Sequence, residues 1–199
     1  MQVVLASGNK GKLAELDELL GPLGYQLVAQ AELGVTPGPE EGLTFVENAL
    51  GKARAASLAT GLAAIGDDSG IVVAALDGAP GLHSARYAGA SGSAAEVAQA
   101  NNAKLLAELA GVEDRRAYFY CALVFLAHAH DPAPIVATGT WHGRILTTPQ
   151  GAGGFGYDPL FEVATLGRSA ASLSAEEKNA ISHRGQAVRE LCQQLRDRP

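Results

Sequence analysis

The chain has 199 residues, 47% of them hydrophobic, with 21 acidic and 15 basic side chains for a formal net charge of −6. That length and apolar content suit one large domain or two small ones around a sizeable core. The acidic balance excludes nucleic acid as the main partner, since gripping a phosphate backbone needs a basic surface, and the lack of any apolar run of about 18 residues excludes a helical membrane span.

The chain opens directly into a strand-like run, Met1 to Ala6, with no basic leader, which points to the cytoplasm. Ser7-Gly8-Asn9-Lys10-Gly11-Lys12 follows, and leucines at 13, 16, 19, 20 and 23 then mark a helix ending near Gly21-Pro22. Backbone amides at such a helix start, with glycines allowing close approach and Lys10 or Lys12 adding charge, bind phosphate well. The spacing is neither a Walker A loop nor GxGxxG, and a plain strand-to-helix turn capped by Ser7 or Asn9 is an equal reading. Tyr25 to Ala29 reads as a second strand. Residues 30–42 form a loop in which Glu40 and Glu41 have no evident structural task.

Thr44 and Glu47 have the spacing of a capping box, opening a helix that runs to about Thr60-Gly61. Asn48 and Lys52 share a face of it, so Lys52 reaches a phosphate if that face meets a pocket and is a solvated lysine otherwise. Two apolar runs, 62–65 and 71–75, then flank Gly66-Asp67-Asp68-Ser69-Gly70. This reads as a break between buried strands, where ionised groups need a partner or a metal. A metal and water site competes with a polar β-turn, for which Asp, Ser and Gly are also suited. Adjacent extended residues point to opposite sides, so one aspartate leads, and the pattern does not choose between them.

Residues 76–92 read as a long loop. Ser93 and Glu96 form a second capping box before a helix through Leu109. Residues 118–129, apolar at odd and even positions alike, suit a strand covered on both faces. Asp131-Pro132 turns the chain into a strand or strand pair over 135–145. In Gly153-Gly154-Phe155-Gly156-Tyr157-Asp158-Pro159 an aromatic on a mobile backbone can stack on a planar base, or Phe155 can tuck into the core. Ser174 and Glu177 make a third capping box, and a last helix begins at Ser182-His183-Arg184. There His183 and Arg184 offer donors of the kind a keto-purine edge accepts. The other histidines lack metal spacing, and the two cysteines, Cys121 and Cys192, read as buried thiols.

Taken in order, Ser7-Gly8-Asn9…Lys12, Glu47-Asn48-Ala49, Asp67-Asp68-Ser69-Gly70, Pro80-Gly81…Ser84-Ala85-Arg86-Tyr87, Gly154 to Pro159 and Ser182-His183-Arg184-Gly185 resemble the inosine triphosphate pyrophosphatases over nearly the whole chain. The resemblance implies a single domain over 1–199, an α/β fold with a mixed, elongated central sheet and flanking helices, and two lobes around a nucleotide cleft. It implies hydrolysis of ITP, dITP and XTP to the monophosphate and pyrophosphate, a house-cleaning role in the nucleotide pool, a Mg²⁺ requirement and a homodimer. By resemblance the proton acceptor is Asp68, and the metal ligands are Asp68 and Glu40, with Glu41 one residue away. The triphosphate contacts are Ser7, Gly8, Asn9, Lys10, Gly11, Lys12, Lys52 and Ser69. The base contacts are Phe155, Gly156, Tyr157, Asp158, Lys178, His183 and Arg184. Two other classes fit parts of the pattern: a phosphatase with an aspartate nucleophile, which lacks its usual DxD spacing here, and a nucleotide sensor without turnover.

Overall fold

Val3, Val4 and Leu5 are fully buried, as befits a strand with neighbours on both sides. In the computed structural model, which describes residues 1–7, 13, 16, 17, 20–38 and 40–198, this strand is β1 (Gln2–Ala6). It pairs in parallel with β2 (Gln26–Ala29) and with β3 (Ala63–Val73), Leu5 lying opposite Ala29 and Ile65. β4 (Arg116–Leu126), β5 (Ile135–Ile145) and β6 (Phe161–Val163) complete a six-stranded sheet of order β2-β1-β3-β4-β5-β6. The β5–β6 pair is antiparallel, so the sheet is mixed, as expected. Residues 13, 16, 17 and 20 are helical, and the phosphate-loop residues 8–12 lie outside the described residues.

The helices are α1 (Phe45–Thr60), α2 (Ala94–Glu108), α3 (Ala175–Ile181) and α4 (His183–Asp197). Side-chain caps start the first three: Thr44, Ser93 and Ser174 each accept the amide three residues on. Glu96 and Glu177 close true capping boxes. Glu47 departs from that pattern, its carboxylate reaching back to the Leu43 amide and the Thr44 hydroxyl, at 2.9 Å each. Gly61, at φ +71°, ends α1 in the left-handed cap that glycine adopts without strain.

The chain divides into two compact units, residues 1–68, 121–139 and 186–199 in one and 69–120 and 140–185 in the other. β3, β4 and β5 each run from one unit into the other. In the first unit, Leu16, Leu20, Ile65, Leu123, Phe125, Val188 and Leu191 build one core, and Ala53, Ala56, Ala64 and Leu126 pack with Val4 and Ala6 in another. Asp131 makes the turn before β5 by accepting the amides of Ala127 and Ala133, both at 2.9 Å, and it pairs with Arg198 at 2.8 Å. In the second unit the core is aromatic: Phe161 lies 4.7 Å from Phe119 and 5.2 Å from Trp141 between ring centroids.

The segment 66–70 corrects the sequence reading. It is not a break: β3 runs unbroken through Asp67, Asp68 and Ser69. Turn-forming residues stay extended here because Gly66 pairs with Ala6 of β1 and lies flat beneath α1. A Cβ added at Gly66 would run into the Ala49 carbonyl oxygen and crowd the Ala53 amide. Helix and strand thus meet almost backbone to backbone, which the alanine stripe 49, 53, 56 on α1 permits.

Candidate active site

That close approach fixes the first cluster. Asn48 and Lys52 each precede one of the alanines facing β3. Lys52 Nζ donates to Asp68 Oδ1 at 2.7 Å and to the Asp67 carbonyl at 3.3 Å; Asn48 Nδ2 donates to Asp68 Oδ2 at 3.3 Å. From the loop before α1, Glu40 Oε1 reaches the same ammonium at 2.6 Å. Asn48 in turn accepts the Gly42 amide at 2.8 Å, tying that loop to the helix. Two carboxylates and the Asp67 carbonyl therefore converge on one cation, while Asn48 donates to the second Asp68 oxygen. Ser7 and Asp67 directly follow the paired residues Ala6 and Gly66 at the ends of neighbouring parallel segments, where open α/β sheets place their ligands.

Burial pushes the Asp68 carboxyl above its ordinary range, against the downward pull of Lys52 and Asn48, and nearby Glu40 pushes it further up. For Lys52, burial works against the charge, but hydrogen bonds and Coulomb attraction from Asp68 and Glu40 outweigh it and hold the ammonium above its usual value. The site thus holds a firmly protonated lysine beside a carboxylate more basic than a free one. Asp67, also buried, contributes its carbonyl to Lys52.

The second cluster belongs to the other unit. Asp158 is buried and accepts the Phe155 amide at 2.8 Å and Lys178 Nζ at 2.5 Å. Gly154 makes room for it: φ is +71°, and a side chain there would strike the Asp158 carboxylate. This turn presents Phe155 with 57% of its surface exposed, and the Lys178 ammonium lies 4.4 Å over its ring. Tyr157 turns inward: its hydroxyl donates to the Ser84 carbonyl at 2.9 Å, and burial raises its pKa. It shapes the loop from beneath. At the start of α4, Ser182 Oγ accepts the Gly185 amide at 3.2 Å, which sets His183 and Arg184 in the first turn. Arg184 donates to Ser69 Oγ at 3.1 Å, and the buried His183 ring stacks on Phe119.

The structure therefore groups Glu40, Lys52 and Asp68 in one cluster, and Phe155, Asp158 and Lys178 in another. Ser69 and Arg184 form a pair in the second unit. Sequence reasoning missed Phe119 and Trp141, the rings around His183, because an aromatic in an apolar strand looks like any core residue. Asn48 carried a signal, its i,i+4 spacing from Lys52, but no reason to assign it to Asp68. Among the described residues no group of three or more His, Cys, Asp and Glu side chains could hold a metal ion on its own.

The sequence model of the Ham1 family matches residues 3–194. A dITP/XTP pyrophosphatase of Nitrosomonas europaea is 56% identical over 194 residues, covering 98% of this chain and 94% of its own. One from Ralstonia nicotianae is 54% identical over 195 residues, covering 98% and 96%. Among solved structures, a HAM1 protein from Coxiella burnetii superposes over 100% of both chains with a TM-score of 0.91 at 46% identity. The Ham1 protein of Staphylococcus aureus gives 0.90 at 39% identity, covering 99% of each chain.

Proposed function

Because the chain belongs to the Ham1 family, we propose that it hydrolyses the non-standard purine nucleoside triphosphates ITP, dITP and XTP to the monophosphate and pyrophosphate, cleansing the nucleotide pool. The observation that carries this reading is the convergence of the Glu40 and Asp68 carboxylates on the Lys52 ammonium, with Asn48 donating to the other Asp68 oxygen. We further read residues 1–199 as one domain of this kind, acting in the cytoplasm as a Mg²⁺-dependent homodimer on a small-molecule substrate rather than on nucleic acid or membrane. In support, the net charge is −6, and among the described residues no helix is long and apolar enough to cross a membrane.

The residues fit Mg²⁺. It takes hard oxygen donors, and it is commonly bound through one or two carboxylates with substrate phosphates completing the shell. Glu40 and Asp68 supply such a pair, and their shared hold on the Lys52 ammonium supports this reading. What Mg²⁺ supplies when bound is charge neutralisation on the triphosphate oxygens. The chain's own residues do the rest. Asp68 accepts the proton from the water that attacks the α-phosphorus, its raised pKa making it a stronger base than a free carboxylate. The bond to the bridging oxygen breaks and pyrophosphate leaves. Lys52 stays protonated and places positive charge on the phosphates, with Ser7 to Lys12 and Ser69 as further contacts. Asn48 donates to Asp68 Oδ2, opposite the oxygen that Lys52 holds. Phe155 stacks on the base, Gly156, Tyr157 and Asp158 shape the loop that presents it, and Lys178, His183 and Arg184 direct donors at the purine carbonyl.

Incubation with ITP and separate assays for pyrophosphate and orthophosphate test the reading. Pyrophosphate with IMP is the expected result. Orthophosphate release would indicate the phosphatase, and binding without turnover the sensor.

A further inference from the structure

The loop that carries Phe155 borders an open space, with Phe155 itself in the lining. A pocket of about 590 Å³ lies between this loop and α2, lined by Ala94, Ala98 and Leu106 on the helix and by Pro149, Ala152 and Pro159 on the loop. The short side chains of α2 do not fill it. Within this lining, Asn102 of α2 donates Nδ2 to the Gly156 carbonyl at 3.0 Å. Its Oδ1 is buried and has no hydrogen-bond partner. A residue needed only for packing would not bury an unmet acceptor, so the feature that calls for an amide here is the donor.

The neighbouring Asn101 behaves differently. It donates to the carbonyls of Ser84 and Ala85, both at 3.3 Å, and accepts the Ala88 amide at 2.7 Å, so both ends of its amide are met. Asn102 instead holds the main chain one residue past Phe155, at a glycine with φ +61°, the residue type with the widest conformational choice. Without that bond the loop has both the freedom and the room to sink toward α2.

We infer that Asn102 is a positioning residue for base recognition: by holding Gly156 against the open pocket it sets the height and tilt at which Phe155 meets the purine ring. The inference rests on reading Phe155 as the base platform. Asn102 bonds the loop that carries Phe155, and the chemical step is assigned to Asp68, so its effect falls on KM rather than on kcat.

Asn102→Asp keeps the shape and loses the donor, Asn102→Ala loses both, and Asn102→Gln keeps an amide that can span the open space. Hydrogen exchange over residues 151–158, thermal unfolding, steady-state kinetics with ITP and the Kd for IMP are measured on the full chain. The Kd is read from the single tryptophan, Trp141, 6.2 Å from the His183 ring. With Asp and Ala, exchange should rise across the loop, while the KM for ITP and the Kd for IMP rise roughly tenfold, kcat stays within about twofold and the melting temperature holds. Gln should restore much of the affinity. Unchanged exchange in both loss variants, or raised exchange with unchanged KM and Kd, overturns the inference. So does a fall in kcat alone. A wild type that binds IMP but releases no pyrophosphate sinks the hydrolytic reading and leaves this one standing if the variants still weaken IMP. A wild type that does not bind IMP overturns both.

Discussion

The imidazole of His183 lies flat on the ring of Phe119, centroids 4.8 Å apart and planes within 9°. Trp141 lies 6.2 Å away at 21°. The orientation of His183 is therefore set by the aromatic core of its unit as well as by its place at a helix start. Phe119→Leu keeps the site apolar and removes the stack. Since an aromatic pair contributes about 0.5–1.5 kcal/mol, the KM for ITP should rise roughly two- to tenfold with kcat little changed. Steady-state kinetics beside a thermal melt checks this; an unchanged KM would mean that the stack does not orient the ring.

Asp68→Asn should lower kcat by about 10²–10⁴, the usual share of a general base, while the melting temperature stays near that of the wild type. The pH dependence follows from the sign of the shift. Folding raises the Asp68 pKa, so it favours the protonated carboxyl, and the associated stability is lost as pH rises through the raised value. At limiting Mg²⁺ the acid limb of kcat/KM should therefore lie above the ordinary aspartate value of about 3.9 and move down as Mg²⁺ is added. A pH profile at two Mg²⁺ concentrations reads this directly.

Chelation should abolish turnover and added Mg²⁺ should restore it, because a chain of net charge −6 cannot by itself easily neutralise a triphosphate. Lys52→Gln should lower kcat/KM and leave the chelator sensitivity in place. Full activity in excess EDTA would remove Glu40 and Asp68 as metal ligands.

Selectivity should favour ITP and XTP over ATP, since donors aimed at the purine carbonyl face another donor in adenine. One unmet polar group costs about 1–3 kcal/mol, or roughly ten- to hundredfold in kcat/KM. His183→Ala and Arg184→Ala should narrow the gap, and Phe155→Ala should weaken all three substrates alike. Equal kcat/KM for ITP and ATP in the wild type would leave a general pyrophosphatase.

Asp131 is far along the chain from these residues and tests stability alone. The Arg198 guanidinium, helped by the amides of Ala127 and Ala133, holds its carboxyl at about 2. A depressed carboxyl stabilises above its ordinary pKa and loses that contribution as pH falls toward the depressed value. Urea unfolding should therefore show stability falling from about pH 4 downward, and Asp131→Asn should cost about 1–3 kcal/mol at neutral pH and flatten that fall.

Much of this was legible in the sequence where the signal is local. The caps Thr44, Ser93 and Ser174 start their helices where the spacing puts them, because a cap is a three-residue device. The strand through Asp67 and Asp68 was not legible as a strand. Local residue types favour a turn, and the pairing with β1 that overrides them comes from 60 residues away (Ala6 with Gly66). Glu40 and Glu41 are indistinguishable as neighbours in a loop, and it takes the position of Lys52 to separate them. Tyr157 read as part of a base-contacting motif, yet its hydroxyl points to Ser84, 73 residues back along the chain. The surroundings of His183 were hidden because Phe119 and Trp141 reach it from strands distant in the chain.

The missing methyl group at Gly66 has a consequence for how the protein tolerates change. Asn48 and Lys52 reach Asp68 because nothing but main chain separates helix and strand at that point. Alanine, the gentlest replacement elsewhere, would act here as a wedge, lifting the helix and carrying both donors away from the carboxylate. In a saturation screen scored by turnover, position 66 would behave like a chemical residue although it has no side chain with which to do chemistry. Because the obstacle is the Ala49 carbonyl, no change of side chain in that turn would restore its tolerance.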